Sequence, residues 1–297
     1  MRSKTFSVVI PTRDRPAALE ICLNSILAQD FSASDFEIIV INDGGCALNL
    51  DKGKFLQSKV PVLLIEQPNQ GPAAARNTAV KHSNACNLAF TDDDCLVDRS
   101  WLKQLYCALQ KDPNAIAGGR TLSGIPKNSY SLANQLLVEF LYYYYHLTPG
   151  EKSQPPFFAS NNMALKREVF QVVGGFDVRL RSAEDRDFCE RLRQAGSSSI
   201  YAQSALVYHF HRMNLAQFLK LHHSYGGGNY FFHLYRRVRG WGNYRLEPIN
   251  FYTGMLRYPF RSEKVWRAAW LSLLLGLSQA SNLSGFTTQA VKELFRK

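Results

Sequence analysis

The 297-residue sequence predicts an α/β fold, a doubly wound parallel sheet flanked by helices and followed by a helical C-terminal extension. Three observations carry that prediction. Four short apolar runs, rich in β-branched or aromatic residues, lie within the first ninety positions. Amphipathic segments separate them, which gives the βαβ alternation of a parallel sheet. Beyond residue 213 the pattern changes to a basic, aromatic chain. With 46% apolar and 20% charged residues, the composition is that of a folded protein and excludes disordered and fibrous classes.

Residues 6–10, 36–41, 60–65 and 87–90 are the four apolar runs, each bounded by turn or polar residues, and they read as buried strands. Residues 17–29 place Leu19, Leu23, Ile26 and Leu27 at helical spacing, and 72–82 form a second helix opened by Pro72. Residues 118–156 hold Gly124, Pro126, Pro149 and a run of tyrosines, which predicts the least regular part of the chain, a loop or lid. Residues 157–165 read as a strand, 166–173 as a helix and 174–177 as a glycine turn; 205–208 form a further strand. The expected domains are 1–213 and a basic, mainly helical extension over 214–297. Six cysteines show no C-x-x-C spacing and read as reduced thiols, and residues 1–15 lack the apolar stretch of a signal peptide, so a cytoplasmic setting is expected.

The charge is uneven. Residues 1–204 carry 22 basic against 21 acidic side chains, whereas 205–297 carry 13 against 3. Such a tail is a solvated basic face, or it is attracted to nucleic acid or to an anionic membrane. Residues 230–237 and 266–271 interleave aromatic rings with arginine, which favours peripheral contact with the inner face of a membrane; no nucleic acid is expected as a partner. Ser272, Gly276, Ser278, Gln279, Ser281 and Asn282 interrupt the most apolar stretch, 268–283, so a spanning helix is not predicted. That stretch either packs on the domain or lies in the bilayer surface.

In an open α/β sheet, ligands bind at the carboxyl ends of the strands. Polar clusters follow four of the apolar runs: Pro11-Thr12-Arg13-Asp14-Arg15, Asn42-Asp43-Gly44-Gly45, residues 69–77 (NQGPAAARN) and Thr91-Asp92-Asp93-Asp94. Three adjacent carboxylates repel one another, and a divalent cation relieves that repulsion. Mg²⁺ or Mn²⁺ held by one or two carboxylates completes its shell with phosphate oxygens, so a phosphorylated ligand follows. The alternative is an acidic cap for a helix near Asp98.

The ordered set VVIPTRDRP, VINDGG, NQGPAAARN, FTDDD, GGFD and AEDRDFCERL resembles the family 2 glycosyltransferases over roughly residues 6–212. The resemblance implies a Rossmann-like GT-A fold with a mixed, mostly parallel sheet, and inverting transfer of a monosaccharide from a nucleoside-diphosphate sugar, a UDP-sugar being favoured. The acceptor would be a hydroxyl, sugar or lipid-linked, in cell-surface polysaccharide or glycolipid synthesis. By resemblance, Pro11 and Arg13 lie along the nucleotide, Asp43 accepts from the base, and Gly71 and Arg76 line the nucleotide or diphosphate. Asp92 and Asp94 match the outer positions of a D-x-D motif, with Asp94 the metal ligand and Asp93 near the ribose. Arg13-Asp14 stands where the family more commonly has Tyr-Asn.

Asn161, Asn162, Gly175 and Phe176 resemble the acceptor-side wall, although the asparagines equally suit capping or turn roles. Glu184 and Asp185 open a predicted helix, where a carboxylate is favoured by the helix dipole alone. The resemblance makes Asp185 the general base and Glu184 the residue that orients the acceptor. His209, and after it His211, follow a strand; the resemblance adds one of them to the metal or diphosphate site. Two other readings compete: nucleotidyl transfer to a sugar phosphate, whose lysine-bearing glycine loop is absent here, and a non-catalytic membrane- or RNA-binding module.

Overall fold

The computed structural model describes residues 3–48, 58–150, 152, 156–243 and 245–295. They form two compact units, Met1–Leu122 with Phe157–Arg181 and Asp185–His209, and Ser123–Pro156 with Ser182–Glu184 and Phe210–Lys297. This division differs from the expected one at residue 213, because 123–156 group with the residues after 209.

The first unit is built on one sheet with strands β1 (Phe6–Thr12), β2 (Phe36–Asp43), β3 (Val62–Gln67), β4 (Asn87–Phe90), β5 (Cys95–Val97), β6 (Ile116–Ser123), β7 (Met163–Lys166) and β8 (Ser199–His209). Their order is β3-β2-β1-β4-β7-β6-β8-β5. The helices, in chain order, are α1 (Pro16–Leu27), α2 (Pro72–Lys81), α3 (Trp101–Lys111), α4 (Ser129–Tyr142), α5 (Arg167–Val172), α6 (Glu184–Gln194), α7 (Leu215–Val238), α8 (Ile249–Arg257) and α9 (Val265–Leu294). Strands β1 to β4 pair in parallel, whereas β7 runs antiparallel to β4, β6 to β7, and β5 to β8. The sheet is therefore mixed.

Strand β1 is buried along its whole length, as an apolar run covered on both faces requires. Pro11 is tolerated there because pairing with β4 stops at Val9 opposite Phe90, so its missing N–H interrupts no bond on that side. Strand β3 begins two residues later than expected, after Pro61, whose carbonyl still accepts from the Ile38 amide. Helix α1 starts on Pro16 and buries Leu19, Cys22, Leu23 and Ile26 under the sheet. Each such fully buried Leu or Ile contributes about 1.5–3 kcal/mol. From β1 the chain steps outward to β2 and β3, then crosses back to β4 on the other side. Such a reversal, here at the carboxyl ends of β1 and β4, is where open α/β sheets bind their ligands.

Within residues 157–165, only 163–165 are strand, where β7 pairs with β4 and β6; 157–160 are irregular. The strand expected at 205–208 is longer, β8 beginning at Ser199. Its first half mixes Ser199, Gln203 and Ser204 with Ile200, Tyr201 and Ala202 and is partly exposed, so it forms no continuous apolar run.

Among the described residues, the expectation of irregularity over 118–156 is corrected; the start of that segment lies in the first unit and the rest in the second. Strand β6 takes its start, then α4, capped by the Asn128 side chain on the Ser131 amide at 2.9 Å, and then a π-helical turn, Tyr143–Leu147. The tyrosines are packing residues. Phe140 and Tyr144 meet Phe251 of α8 at 5.1 and 4.9 Å between ring centroids, and the Tyr144 and Tyr145 hydroxyls donate to the buried Glu247 at 3.1 and 2.9 Å. Helix α7 is opened by a capping box, Asn214 and Gln217 exchanging side-chain bonds with each other's backbone amides.

His222 of α7 is buried against Phe218 and Tyr225, at 4.5 and 5.6 Å between centroids, and burial pushes its pKa down to about 4 from 6.5. The unfolded chain takes up this proton first as pH falls. Stability is therefore full above about pH 6.5 and is lost between pH 6.5 and 4, by on the order of 3 kcal/mol. Thermal unfolding across that window should show the decline, and His222→Leu should flatten it; an unchanged slope in the variant would assign the pH dependence elsewhere.

Candidate active site

At the carboxyl end of β4 the chain leaves the sheet through Thr91-Asp92-Asp93-Asp94 and re-enters it at once as β5. A strand, not a helix, follows the carboxylates, so they cap nothing. Asp98 takes the turn role instead, accepting from the Ser100 amide and hydroxyl at 2.9 and 2.8 Å just before α3.

The three carboxylates face different ways. Asp93 is fully buried and accepts from the Thr12 hydroxyl of β1 at 2.6 Å. Burial drives its pKa up to about 6, against the pull of the Thr12 bond and of Arg15. It does not reach solvent, so the expected place near a ribose is not where its side chain lies. Asp92 and Asp94 are partly exposed, and each is met by a guanidinium: Arg76 Nη2 lies 2.7 Å from Asp92, and Arg15 Nη1 lies 2.6 Å from Asp94. Arg15 also reaches Asp93 at 3.0 Å. Two arginines thus neutralise much of the repulsion within the acidic cluster.

His209, the last residue of β8, places Nε2 at 3.2 Å from Asp94 Oδ1. Burial disfavours its charged form, but the bond to Asp94 and the field of Asp94 and Asp92 outweigh this and raise its pKa. Asp94, Cys95 and His209 offer ligand atoms within 4.8 Å of one another. Cys95 is buried, and burial raises its thiol pKa well above the ordinary value; its sulfur is a soft donor, which Mg²⁺ and Mn²⁺ disfavour. A carboxylate oxygen and an imidazole nitrogen remain, a donor set that fits Mn²⁺ or Mg²⁺ completed by water and phosphate oxygens. His211 falls in the second unit, where its carbonyl accepts from the Ser131 hydroxyl.

Asp43 ends β2 and is buried. Its two oxygens accept from Gln67 Nε2 at 2.7 Å, Asn69 Nδ2 at 3.0 Å and the amides of Gln70 and Gly71 at 2.9 and 2.8 Å. Four donors fill the acceptor capacity of a carboxylate, so Asp43 here shapes the loop that starts α2, and a base would have to displace one of them. Gly71 holds φ +93°, which a side chain would resist, and this delivers Pro72 to the first helical position. An open pocket of about 410 Å³ lies beside this loop, lined by Asn42, Gly44, Gly45, Glu66, Gln67 and Pro68 among others. Pro11 is buried in β1, and Arg13 is exposed with Asp14 3.5 Å away.

Of the four acceptor-side residues, two are structural. Asn162 is fully buried; its carbonyl accepts from the Trp101 indole at 2.8 Å while its amide donates to the Arg120 and Ala205 carbonyls at 3.1 and 3.0 Å. Phe176 is a core ring packed on Phe188 at 4.4 Å and on Phe90 at 5.5 Å, with the Arg76 guanidinium over its face at 5.7 Å. Gly175 has φ +80° and is fixed from α2, where the Asn77 amide group bonds the Phe176 carbonyl and amide at 2.8 and 2.9 Å. Asn161 is half-buried, with Thr121 Oγ1 at 3.4 Å.

Glu184 and Asp185 form the first turn of α6, immediately after Ala183 with φ +64°, a conformation uncommon for a residue with a Cβ. Glu184 is buried and Asp185 half-buried, with Oδ1 accepting from the Arg186 amide at 2.7 Å. Thr12, Arg15 and Asn77 stand inside the quoted motifs but received no role there; the structure gives each one, Thr12 on Asp93, Arg15 on Asp94 and Asn77 on Phe176. Arg15 carried the plainest signal, a second arginine two positions after Arg13 in the loop after β1.

A parallel half-sheet with a reversal at β1 and β4, and an acidic corner at that reversal, define a GT-A-like sheet. The Glycosyl transferase family 2 model matches residues 7–174, and the chain belongs to that family. It is 28% identical over 229 residues to a pre-mycofactocin glycosyltransferase of Mycobacterium tuberculosis, covering 74% of this chain and 46% of that protein. It is 25% identical over 211 residues to the glycosyltransferase AglE of Haloferax volcanii, covering 68% and 66%. The chain thus spans about half the length of the mycobacterial relative. Among solved structures, the mannosyltransferase PcManGT of Pyrobaculum calidifontis, in complex with GDP-Man and Mn²⁺, has a TM-score of 0.63 at 17% identity, covering 100% of this chain and 89% of that one. S. aureus TarS 1-349 in complex with UDP-GlcNAc has a TM-score of 0.54 at 16% identity, covering 98% and 91%. At these identities the structural likeness establishes the fold.

Proposed function

We propose that the chain transfers a monosaccharide from a nucleoside-diphosphate sugar, a UDP-sugar being favoured, to a hydroxyl acceptor with inversion, in cell-surface polysaccharide or glycolipid synthesis. The observation that carries this reading is the corner at the end of β4, where Asp92 and Asp94 stand with Arg76, Arg15 and His209. A diphosphate leaving group needs cations aimed at the oxygen that gains charge, and the two arginines supply them. Asp94 and His209, with Asp92 beside them, would hold Mg²⁺ or Mn²⁺, which when bound neutralises the diphosphate as a Lewis acid. The open pocket between the ends of β2 and β3 supports this reading, since a nucleoside would fit there next to the Asp43 loop. Asp185 takes the proton of the acceptor hydroxyl, Glu184 orients the acceptor, and Asn161 and Gly175 remain on the acceptor side.

The reading is tested by thermal shift against UDP, GDP, dTDP and CDP, each with Mn²⁺, Mg²⁺ or EDTA. At about 100 times its dissociation constant a ligand stabilises by about 2.7 kcal/mol. Stabilisation by one nucleotide, abolished by EDTA and by Asp94→Ala, is the expected result. No response to any nucleotide would sink the proposal.

Arg15 competes with a cation for Asp94. Removing its charge in Arg15→Gln should raise Mn²⁺ affinity, measured calorimetrically without nucleotide, by about tenfold. Unchanged affinity would show that the ion pair does not oppose metal entry.

A further inference from the structure

We infer that the outward face of α9 is a docking surface for an anionic lipid bilayer, on which the helix lies flat. The sequence offered two aromatic and basic segments as interfacial elements, and the structure separates them. In the first, Phe232, His233 and Arg236 are buried in α7. In the second, Trp266 is 73% exposed and Trp270 40%, with Leu273 beyond them at 54%.

Helix α9 is two-sided. Ala268, Leu271, Leu274, Leu275, Ser278 and Gly285 are buried within the unit. The opposite face carries Trp266, Trp270, Leu273 and Leu277 at spacings of four, three and four residues, so they line one stripe. A soluble helix normally places charge on such a face. Here residues 268–291 contain no charged side chain at all. The helix is about 45 Å long at 1.5 Å per residue. Among the described residues, none of the helices is long and apolar enough to cross a membrane.

Basic residues rim the N-terminal end of the stripe. Lys264 caps α9, and Arg257 and Arg261 come from the segment just before it; all three are exposed. The Ser272 hydroxyl of α9 donates to the Leu256 carbonyl at 2.6 Å, which sets the end of α8 directly beside the exposed Leu273 turn. Aromatic rings with arginine and lysine around an apolar stripe match a bilayer interface, with rings at headgroup depth and cations at the phosphates. The excess of 13 basic over 3 acidic residues in 205–297 opposes pairing of two copies through this region and favours an anionic partner.

The test is sedimentation of the full chain with phosphatidylcholine vesicles with and without phosphatidylglycerol. Binding that requires the anionic lipid and falls with salt is expected. Each basic residue contributes roughly fivefold near such a surface, so replacing Arg257, Arg261 and Lys264 by Gln together should weaken binding about 100-fold. Trp266→Ser with Trp270→Ser should weaken it as well and abolish the blue shift of tryptophan fluorescence on vesicles. Arg261 also stacks on Tyr143 and Tyr258 at 4.3 and 5.2 Å, and Trp270 is 40% exposed, so each variant is checked for a folded state by its melting transition before binding is compared. Absence of anionic vesicle binding, binding that survives both sets, a dimer in sedimentation velocity lost in the tryptophan variant, or retention by RNA in place of vesicles would each overturn the inference.

Discussion

Asp185→Asn is expected to lower sugar transfer by about 10²- to 10⁴-fold while leaving nucleotide affinity unchanged. The substitution is isosteric, and asparagine keeps the Oδ1 that accepts from the Arg186 amide at 2.7 Å, so the first turn of α6 retains its bond. What is lost is the ability to take a proton. An uncatalysed hydroxyl is a weak nucleophile, and a positioned carboxylate removes its proton as the bond to the sugar forms. Steady-state transfer with the matched donor and acceptor, together with a nucleotide titration, distinguishes this from misfolding. Wild-type turnover in the variant would remove Asp185 from the chemistry and move the search for the base to Glu184.

The second large effect concerns stability. Helices α7 and α9 approach until backbone meets backbone. A Cβ on Gly226 would lie 1.9 Å from the Asn282 carbonyl oxygen, and one on Gly285 would lie 1.9 Å from that of His223. The two contacts are reciprocal, each glycine meeting the residue three positions before the other. Gly226→Ala or Gly285→Ala forces the helices apart and loosens the packing of Leu271 and Leu274 with Phe218. Overpacking against rigid backbone is expected to cost about 3 kcal/mol or more, read as a fall in melting temperature. Gly227 is the control. Nothing lies within 4 Å of a Cβ there, so Gly227→Ala in the same helix should be neutral or stabilise by about 0.5–1 kcal/mol. Equal effects at 226 and 227 would show that the close approach does not matter.

The parallel half of the sheet was legible because its signals are local. Strands β1, β2 and β4 are short apolar runs followed by polar residues, and α1 and α2 carry helical spacing with proline at the first position. Residues 118–156 were not legible as structure. Their apolar faces have no meaning until Leu132, Leu136 and Phe140 meet partners more than eighty positions away on α7, α8 and α9.

Within the site, the sequence by itself determined which carboxylates follow which strand, and hence that an acidic corner forms where the strand order reverses. That much follows from one-dimensional order and the rule for parallel sheets. Tertiary structure decided the work of each side chain. Asp93 turned inward to Thr12, Asp43 was saturated by its own loop, Asn162 bridged Trp101 and Ala205, and Phe176 became core. The same acidic cluster drew in Arg15, which lay inside the first motif without an assigned role. Burial and hydrogen-bond partners are set by residues distant in sequence, so identical residue types read alike along the chain until the fold assigns their neighbours.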